Sequence, residues 1–539
     1  MGVRYSPPMV CLARFAPLSR EAPPLRALLV MMVMVCALHP AVARADTPTH
    51  WLGQQIARLA ADPRIAPARV GVLVQDVPTG KTLVQHNASE TFNVASCTKL
   101  VTTATAMWAL GPEYRFKTAI YGDRTRAARG AGEPRSGAER SAQHVTARGP
   151  RAAKNGNHGD GAVLPGNLYL KGFGSPVLGE QDLWQLVDDL KDRGIREVRG
   201  AVVIDESYFD GQRLAPLYDT HSTDAWYRPP SGPISIGFNV VSVQVMGGGA
   251  PGQPARVVLR PHSSYFKLDS DVSTVSARRR SWVQVHTTQR GDQTEVVVKG
   301  RVRPGYRRRP FRHRIEDPGL LAGQTLLDIL ARQGIRVGER RVRRGKVPPG
   351  ARALAWHHSE PLAVVLRLMN KHSNNFIAEQ VLRVVGAEVM GQPGTWAKGL
   401  AAVGRYLKTL AIKPGEYTMK NGSGLYDASA FTPAQLVTVL RRSWLRFRVG
   451  PDFVSTLAQA GVDGTLHQRY IGSGAERYVR AKTGTLARVV TLAGFAGAAT
   501  DRGPLTFAIL LNDLPEGKVR QARAVVDEMA EAMVTFLER

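Results

Sequence analysis

Apolar and polar positions follow different rhythms in different parts of this chain, and each rhythm predicts a different kind of element. The first is a solid apolar run over 27–38, with Arg14, Arg20 and Arg26 before it and Pro40 after it. At about 12 residues it is too short to cross a bilayer of roughly 30 Å as a helix. Ala43-Arg44-Ala45 places small residues where a signal peptidase cleaves, so 1–45 reads as an export signal, with Met9 as an alternative start. Val35 before Cys36 fits a lipoprotein signal poorly. No later run is long and apolar enough to anchor the mature chain, which is expected to be periplasmic or secreted.

Helical spacing over 51–60 is followed by a β-branched apolar run at 70–76, a Pro78-Thr79-Gly80 turn and a return over 81–86, which together predict a helix and a hairpin. The stretch 96–110 repeats Leu100, Ala104, Met107 and Trp108 at helical spacing, so one buried face is expected, and Gly111-Pro112 stops it. Residues 124–161 hold Arg, Gly, Ala and Ser with hardly a large apolar side chain, and predict a disordered basic insertion. Beyond it come Asn167-Leu168-Tyr169-Leu170, a helix at 181–193 and a strand at 197–205. Short β runs at 240–246, 255–259, 282–286 and 294–298 predict a small all-β module over about 233–302. Helical rhythm returns at 319–333 and persists to about 445. Strands at 477–481, 489–496 and 505–511 and a closing helix over 519–537 complete the chain.

The fold class these elements imply is α+β: one antiparallel sheet flanked by helices and assembled from both chain ends, with β-rich domains inserted in the middle. The expected division is 46–120 and 319–539 for the two parts of the outer domain, with 121–318 inserted.

A length of 539 residues, 43% hydrophobic and 22% charged, fits a folded chain of two or three domains. Once the signal leaves, Cys97 is the one cysteine remaining, which excludes an intramolecular disulfide. Two readings of it stand, a nucleophile or a packed helix residue, and no Cys-His pairing is visible for the first. The formal charge of +28 is concentrated at Arg278-Arg279-Arg280, Arg307-Arg308-Arg309 and 340–346. These clusters are either solvated arginine-rich loops or contacts for anionic wall or lipid polymers. Nothing pairs them with a helix-turn-helix, zinc-finger or stacking pattern, so no nucleic-acid partner is expected. Among 13 histidines there is no metal-ligand spacing, and His357-His358 on a strand would point apart as surface residues. No glycine-rich phosphate loop precedes a helix. No cofactor and no metal are expected.

Candidate chemistry sits in three short motifs. In Ser96-Cys97-Thr98-Lys99 the residues three apart share a helix face, so the Lys99 amine reaches the Ser96 hydroxyl and, if buried near another cation, serves as its base. Alone the motif is weak, since about two S-x-x-K occur by chance in a chain this long. Ser373-Asn374-Asn375 lies between two helical runs. It is either an ordinary helix cap or a loop whose Ser373 hydroxyl relays a proton and whose Asn375 amide holds substrate backbone. Lys482-Thr483-Gly484-Thr485 closes a predicted strand. It is either a surface strand end or a carboxylate site made of a cation and two hydroxyls, with Gly484 leaving room for a peptide along the strand edge. The three in this order form the signature of penicillin-binding proteins and related β-lactamases.

On these motifs the chain resembles the D-alanyl-D-alanine carboxypeptidase/endopeptidase group of low-molecular-mass penicillin-binding proteins, class C, which carry a large insert after the nucleophile helix. Further matching segments are Leu168-Tyr169-Leu170-Lys171-Gly172, Asn421-Gly422-Ser423-Gly424-Leu425 and Asp463-Gly464-Thr465-Leu466. The resemblance implies a β-lactamase/transpeptidase-like fold and a D,D-carboxypeptidase, with endopeptidase activity as an open addition. In it Ser96 attacks between two D-alanines of peptidoglycan peptides, and the Ser96 and Thr485 N–H groups form the oxyanion hole. It also implies that β-lactams acylate the same serine. The chain departs from the family pattern at Asn374, Asn421, Tyr426 and Asp427, positions that bear on rate and preference. A β-lactamase or esterase on this core would need a second base, for which no glutamate motif is assignable, and the insert speaks against it. A non-catalytic wall-binding protein would show broken motifs, whereas all three are intact.

Overall fold

The computed structural model describes residues 48–123, 162–220 and 223–539. The export signal expected over 1–45 and the basic insertion expected over 124–161 lie outside the described residues.

Strands Val489–Ala496 and Leu505–Asn512 are buried at every position, as continuous apolar runs require when a sheet is covered on both faces. They form the middle of a six-stranded antiparallel sheet. Its order is Ala458–Gln459, Val479–Leu486, Val489–Ala496, Leu505–Asn512, Arg69–Asp76 and Thr82–His86, so the sheet is built from both chain ends. Alternate residues serve opposite cores. Phe507, Ile509 and Leu511 pack with the helices Pro48–Ala60 and Val519–Glu538. Ala508 and Leu510 face the helices Thr98–Leu110, Leu362–His372, Asn375–Met390, Trp396–Lys408 and Pro433–Leu445. This is the expected α+β layering.

Helix Thr98–Leu110 departs from the expectation of one buried face. All of residues 98–107 are buried, which makes it the central helix of that layer. Its polar side chains are accommodated by bonding: Thr102 Oγ1 donates to Gly422 O at 2.8 Å, and Thr103 Oγ1 donates to Lys99 O at 2.6 Å.

A second, mixed sheet runs in the order Arg336–Arg344, Ile195–Asp205, Leu168–Gly172, Arg115–Gly122 and Arg352–Pro361, with Ala162–Leu164 also pairing Ile195–Asp205. Two of these strands, Arg336–Arg344 and Arg352–Pro361, fall where helical rhythm was expected to persist. Arg336–Arg344 is an edge strand whose charged side chains leave Val337 and Val342 as its apolar signal, so its period is masked. Residues 115–120 and 319–361 were expected in the outer domain, yet their strands pair within this second sheet. The short β runs of the middle form two three-stranded sheets. Their Val241, Val243, Val296 and Val298 share one core with Leu186 and Leu326 of the helices Glu180–Asp192 and Pro318–Arg332. On the strand Arg352–Pro361, His358 is exposed and His357 is half-buried, 3.6 Å from Asp182.

Candidate active site

The nucleophile candidate sits on a tight turn and not on the first turn of an α-helix. Ala95–Cys97 is a short 3-10 turn, and the α-helix begins at Thr98. Ala95 has a φ of 45°, a left-handed conformation that costs a residue with a Cβ on the order of 1–3 kcal/mol unless its surroundings fix it. They do. Asn93 Oδ1 accepts from Ala95 N at 2.8 Å, Thr98 Oγ1 donates to Ala95 O at 2.7 Å, and Asn93 N donates in turn to Asn512 Oδ1 at 2.8 Å. The turn leaves Ser96 half-exposed between buried Ala95 and Cys97.

Lys99 is fully buried, and its amine has three polar partners. Nζ donates to Asn375 Oδ1 at 2.7 Å and to Ser423 O at 2.9 Å, and lies 2.9 Å from Ser96 Oγ, toward which a neutral amine turns its lone pair. Burial, reinforced by the nearby Lys482 cation, holds its pKa well below that of an ordinary lysine. A neutral amine at hydrogen-bond distance from a serine hydroxyl is a general base in position.

The Ser-x-Asn loop joins Leu362–His372 to Asn375–Met390, and its three residues do separate jobs. Ser373 is the left-handed C-cap of the first helix, and its Oγ accepts from Lys482 Nζ at 3.0 Å. Asn374 is the N-cap of the second, its Oδ1 accepting from Ile377 N at 3.1 Å. Asn375 joins the inserted part to the site, since its Nδ2 donates to Tyr227 O at 2.9 Å while its Oδ1 binds Lys99. The cap reading holds at Asn374, and the residues on either side of it, Ser373 and Asn375, meet the amines of Lys482 and Lys99. Asn is as good an N-cap as the Asp usual in the resembled family, so this departure leaves the loop's geometry intact.

Lys482, Thr483, Gly484 and Thr485 lie inside the strand Val479–Leu486, which runs five residues past the expected end. Past Ala481, its edge away from Val489–Ala496 has no strand partner among the described residues, because Ala458–Gln459 pairs only Ala481 and Arg480. That edge is available to an extended peptide. Lys482 is buried, and burial brings its pKa down to about 8. Thr483 Oγ1 donates to Thr465 Oγ1 at 2.9 Å, and Thr485 is exposed. Gly484 has a role that sequence reasoning missed. A Cβ there would lie 2.1 Å from Thr491 Oγ1 and 2.8 Å from Val94 O, so the missing side chain lets the strand close onto the nucleophile turn. Cys97 is buried behind it, its Sγ 3.2 Å from both Lys482 O and Thr491 Oγ1, and burial pushes its thiol up. It is a packed residue and not a second nucleophile.

Ser423 and Thr465 lie in segments quoted for the resemblance but given no role there. The loop that carries Ser423 is held by Asn421, whose Oδ1 accepts from Gly424 N at 2.9 Å and whose Nδ2 donates to Pro216 O at 3.1 Å. An Asp at this position would lack the second bond. Beside the Ser-x-Asn loop a cleft of about 720 Å³ opens between the inserted part and the helices, with Trp226, Tyr227, Phe238, Arg312 and His372 in its walls. No cluster of three or more metal-ligating side chains occurs among the described residues.

Comparison with known proteins gives a consistent picture. The model of the D-Ala-D-Ala carboxypeptidase 3 (S13) family matches residues 52–134 and 151–533. The D-alanyl-D-alanine carboxypeptidase of Actinomadura sp. is 28% identical over 483 residues, covering 86% of this chain and 81% of that protein. D-alanyl-D-alanine carboxypeptidase DacB of Haemophilus influenzae is 24% identical over 79% of this chain and 82% of its own length. The crystal structure of penicillin binding protein 4 from Haemophilus influenzae superposes with a TM-score of 0.68 at 22% identity, over 88% of this chain and 97% of that one. A second structure of that protein, complexed with a β-lactam, gives a TM-score of 0.65 at 23% identity.

Proposed function

The chain belongs to the D-Ala-D-Ala carboxypeptidase 3 (S13) family, and from that premise we propose a reaction carried by Ser96, Lys99, Ser373, Asn375 and the strand from Lys482 to Thr485. The protein is a serine-type D-Ala-D-Ala carboxypeptidase acting on the D-alanyl peptides of peptidoglycan. The observation that carries the residue assignment is the fully buried Lys99 amine held 2.9 Å from Ser96 Oγ.

In this reading neutral Lys99 takes the proton as Ser96 Oγ attacks the carbonyl between the two D-alanines. The oxyanion lies against the N–H groups of Ser96 and Thr485. The terminal carboxylate is held by Lys482 with the Thr483 and Thr485 hydroxyls. The proton passes through Ser373, which Lys482 holds at 3.0 Å, to the departing amine, and D-alanine leaves. Water then attacks the Ser96 ester, regenerating the hydroxyl and releasing the shortened peptide. Asn375 holds the substrate backbone, and the adjoining cleft offers space for the peptide that precedes the D-alanine pair. β-Lactams present a strained amide to the same serine and acylate it. Incubation with a peptide ending in D-Ala-D-Ala tests the reading: one equivalent of D-alanine is released per peptide by the native enzyme and none by Ser96→Ala. Release by the Ala variant at the native rate contradicts it.

We place the mature enzyme outside the cytoplasmic membrane, on the strength of the sequence pattern over 1–45 and the location of the substrate. No helix among the described residues is long and apolar enough to cross a membrane. The arginine clusters support a second element of the proposal, contact with anionic wall or lipid polymers. Arg341, Arg343 and Arg344 pair with Glu339, Glu206 and Asp317. Arg278, Arg279, Arg280, Arg307, Arg308 and Arg309 are exposed and form no ion pair among the described residues. Their loops are tied together by Arg303 N donating to Ser281 Oγ at 3.0 Å, so the like charges converge on one end of the β-rich part.

A further inference from the structure

Behind the lysine base lies a carboxylate that the proposed reaction does not use. Glu379 is 2% exposed and stands one helical turn after Asn375, on the same face of Asn375–Met390. It is fully bonded. Oε1 accepts from Ser423 N at 2.9 Å and faces the Tyr218 hydroxyl at 3.4 Å, while Oε2 accepts from Gly422 N at 3.0 Å and Trp396 Nε1 at 2.9 Å. The two backbone donors flank the peptide unit next to the carbonyl that receives the Lys99 amine, Ser423 O. Tyr218, which comes from the inserted part, also bonds Ser423 Oγ at 2.9 Å. A buried anion is retained only where donors surround it, and three of these four, Gly422 N, Ser423 N and the Tyr218 hydroxyl, belong to the loop 421–425 or bond it.

We propose that Glu379 is a positioning residue for Lys99: its carboxylate fixes the loop that presents Ser423 O to the amine, and its charge sets how readily that amine sheds its proton. This rests on the reading of Lys99 as the base. The ionisable groups that act on the amine are Lys482 from the strand, Cys97 from the nucleophile turn and Glu379 from the helix. Lys482 and burial favour the neutral amine, and Glu379 favours the cation. On its other side Glu379 faces Tyr218 and, one turn further along the helix, Arg383, whose guanidinium pairs with Asp210 at 2.6 Å and lies between the rings of Phe209 and Trp396. Glu379 therefore sits between the Lys99 amine and the Arg383 guanidinium, each held by its own bonds. A neutral residue in place of Glu379 would let Lys99 shed its proton more readily but would tie the 421–425 loop less firmly.

The test is the pH profile of penicillin acylation in Glu379→Gln, with Glu379→Asp beside it. Gln can keep its carbonyl toward Gly422 N and Trp396 and offer its amide to the Tyr218 oxygen, so the bond from Ser423 N is the one lost. Loss of the charge is expected to move the acid limb to lower pH by on the order of one unit, with a slower rate on the plateau. Glu379→Asp keeps the charge and shortens the reach, so its plateau falls while its acid limb stays at the native position. A Gln variant that slows equally at every pH, or an Asp variant whose limb moves as far as that of Gln, overturns the proposal and leaves the assignment of Lys99 standing. Native protein that penicillin does not acylate overturns that assignment as well.

Discussion

In the proposed reaction two buried lysines within one small site carry different charges, and their neighbours at the residue scale account for the difference. Lys99 has no carboxylate within ion-pair distance among the described residues; as a neutral amine its two N–H groups are taken by Asn375 Oδ1 and Ser423 O, which leaves its lone pair for the Ser96 hydroxyl. Lys482 reaches Ser373 and Thr483 O and meets the open strand edge, where a substrate carboxylate would restore its partner. The signs fix the pH dependence. Activity requires Lys99 deprotonated, so it rises as pH climbs through the depressed Lys99 value. It requires Lys482 protonated, so it falls above about 8, where Lys482 loses its charge. Lys482→Gln is expected to remove the alkaline limb and, by deleting a neighbouring cation, to move the acid limb upward; an acid limb that stays in place would show that the two amines are not coupled. In the sequence the types and order of these residues were legible. Their partners were not, because Asn375 and Ser423 bond Lys99, and Glu379 acts on it, from positions hundreds of residues away along the chain.

At the scale of elements, the outer sheet was the most readable part, since strands 489–496 and 505–512 are apolar throughout and carry an unambiguous signal. The second sheet was the least readable, because Arg336–Arg344 hides its alternation under charge and Arg115–Gly122 gave no separate signal between a helix and the insertion. The glycines carry a lesson of their own. The sequence suggested room for a peptide at Gly484, and the structure adds a need for close approach between elements there and at Gly424. At Gly424, with φ 77°, a Cβ would lie 2.0 Å from Ala95 O, which would press the loop off the nucleophile turn. Gly424→Ala is expected to lower stability by about 2 kcal/mol or more and to slow acylation at least tenfold, read by thermal melting and penicillin labelling. Gly415 also has positive φ but nothing within 4 Å, so Gly415→Ala carries the backbone cost alone and should leave acylation unchanged.

At the scale of the whole molecule, the inserted part is a structural partner of the site. Tyr227 O holds Asn375, Tyr218 reaches Ser423, and Arg383 on the helix Asn375–Met390 binds Asp210, Gln212 O and Ser231 of the insert. Arg383 is completely buried, so Arg383→Ala is expected to cost about 3 kcal/mol or more and to separate the two parts in a thermal melt. Residues 124–161 are a different case, because the segments on either side already meet: Asp123 accepts from Asn167 N at 3.0 Å, and Gly122 pairs with Leu168. Replacing them by a short flexible linker is expected to leave penicillin acylation intact, and a folded deletion variant without activity would contradict that. The central claim, that Ser96 is the nucleophile, is met most directly by treating the native protein with a fluorescent penicillin and mapping the adduct by mass spectrometry. The structure predicts one penicilloyl group on the peptide containing Ser96 and no adduct in Ser96→Ala. An adduct on any other residue, or undiminished labelling of the Ala variant, would contradict it.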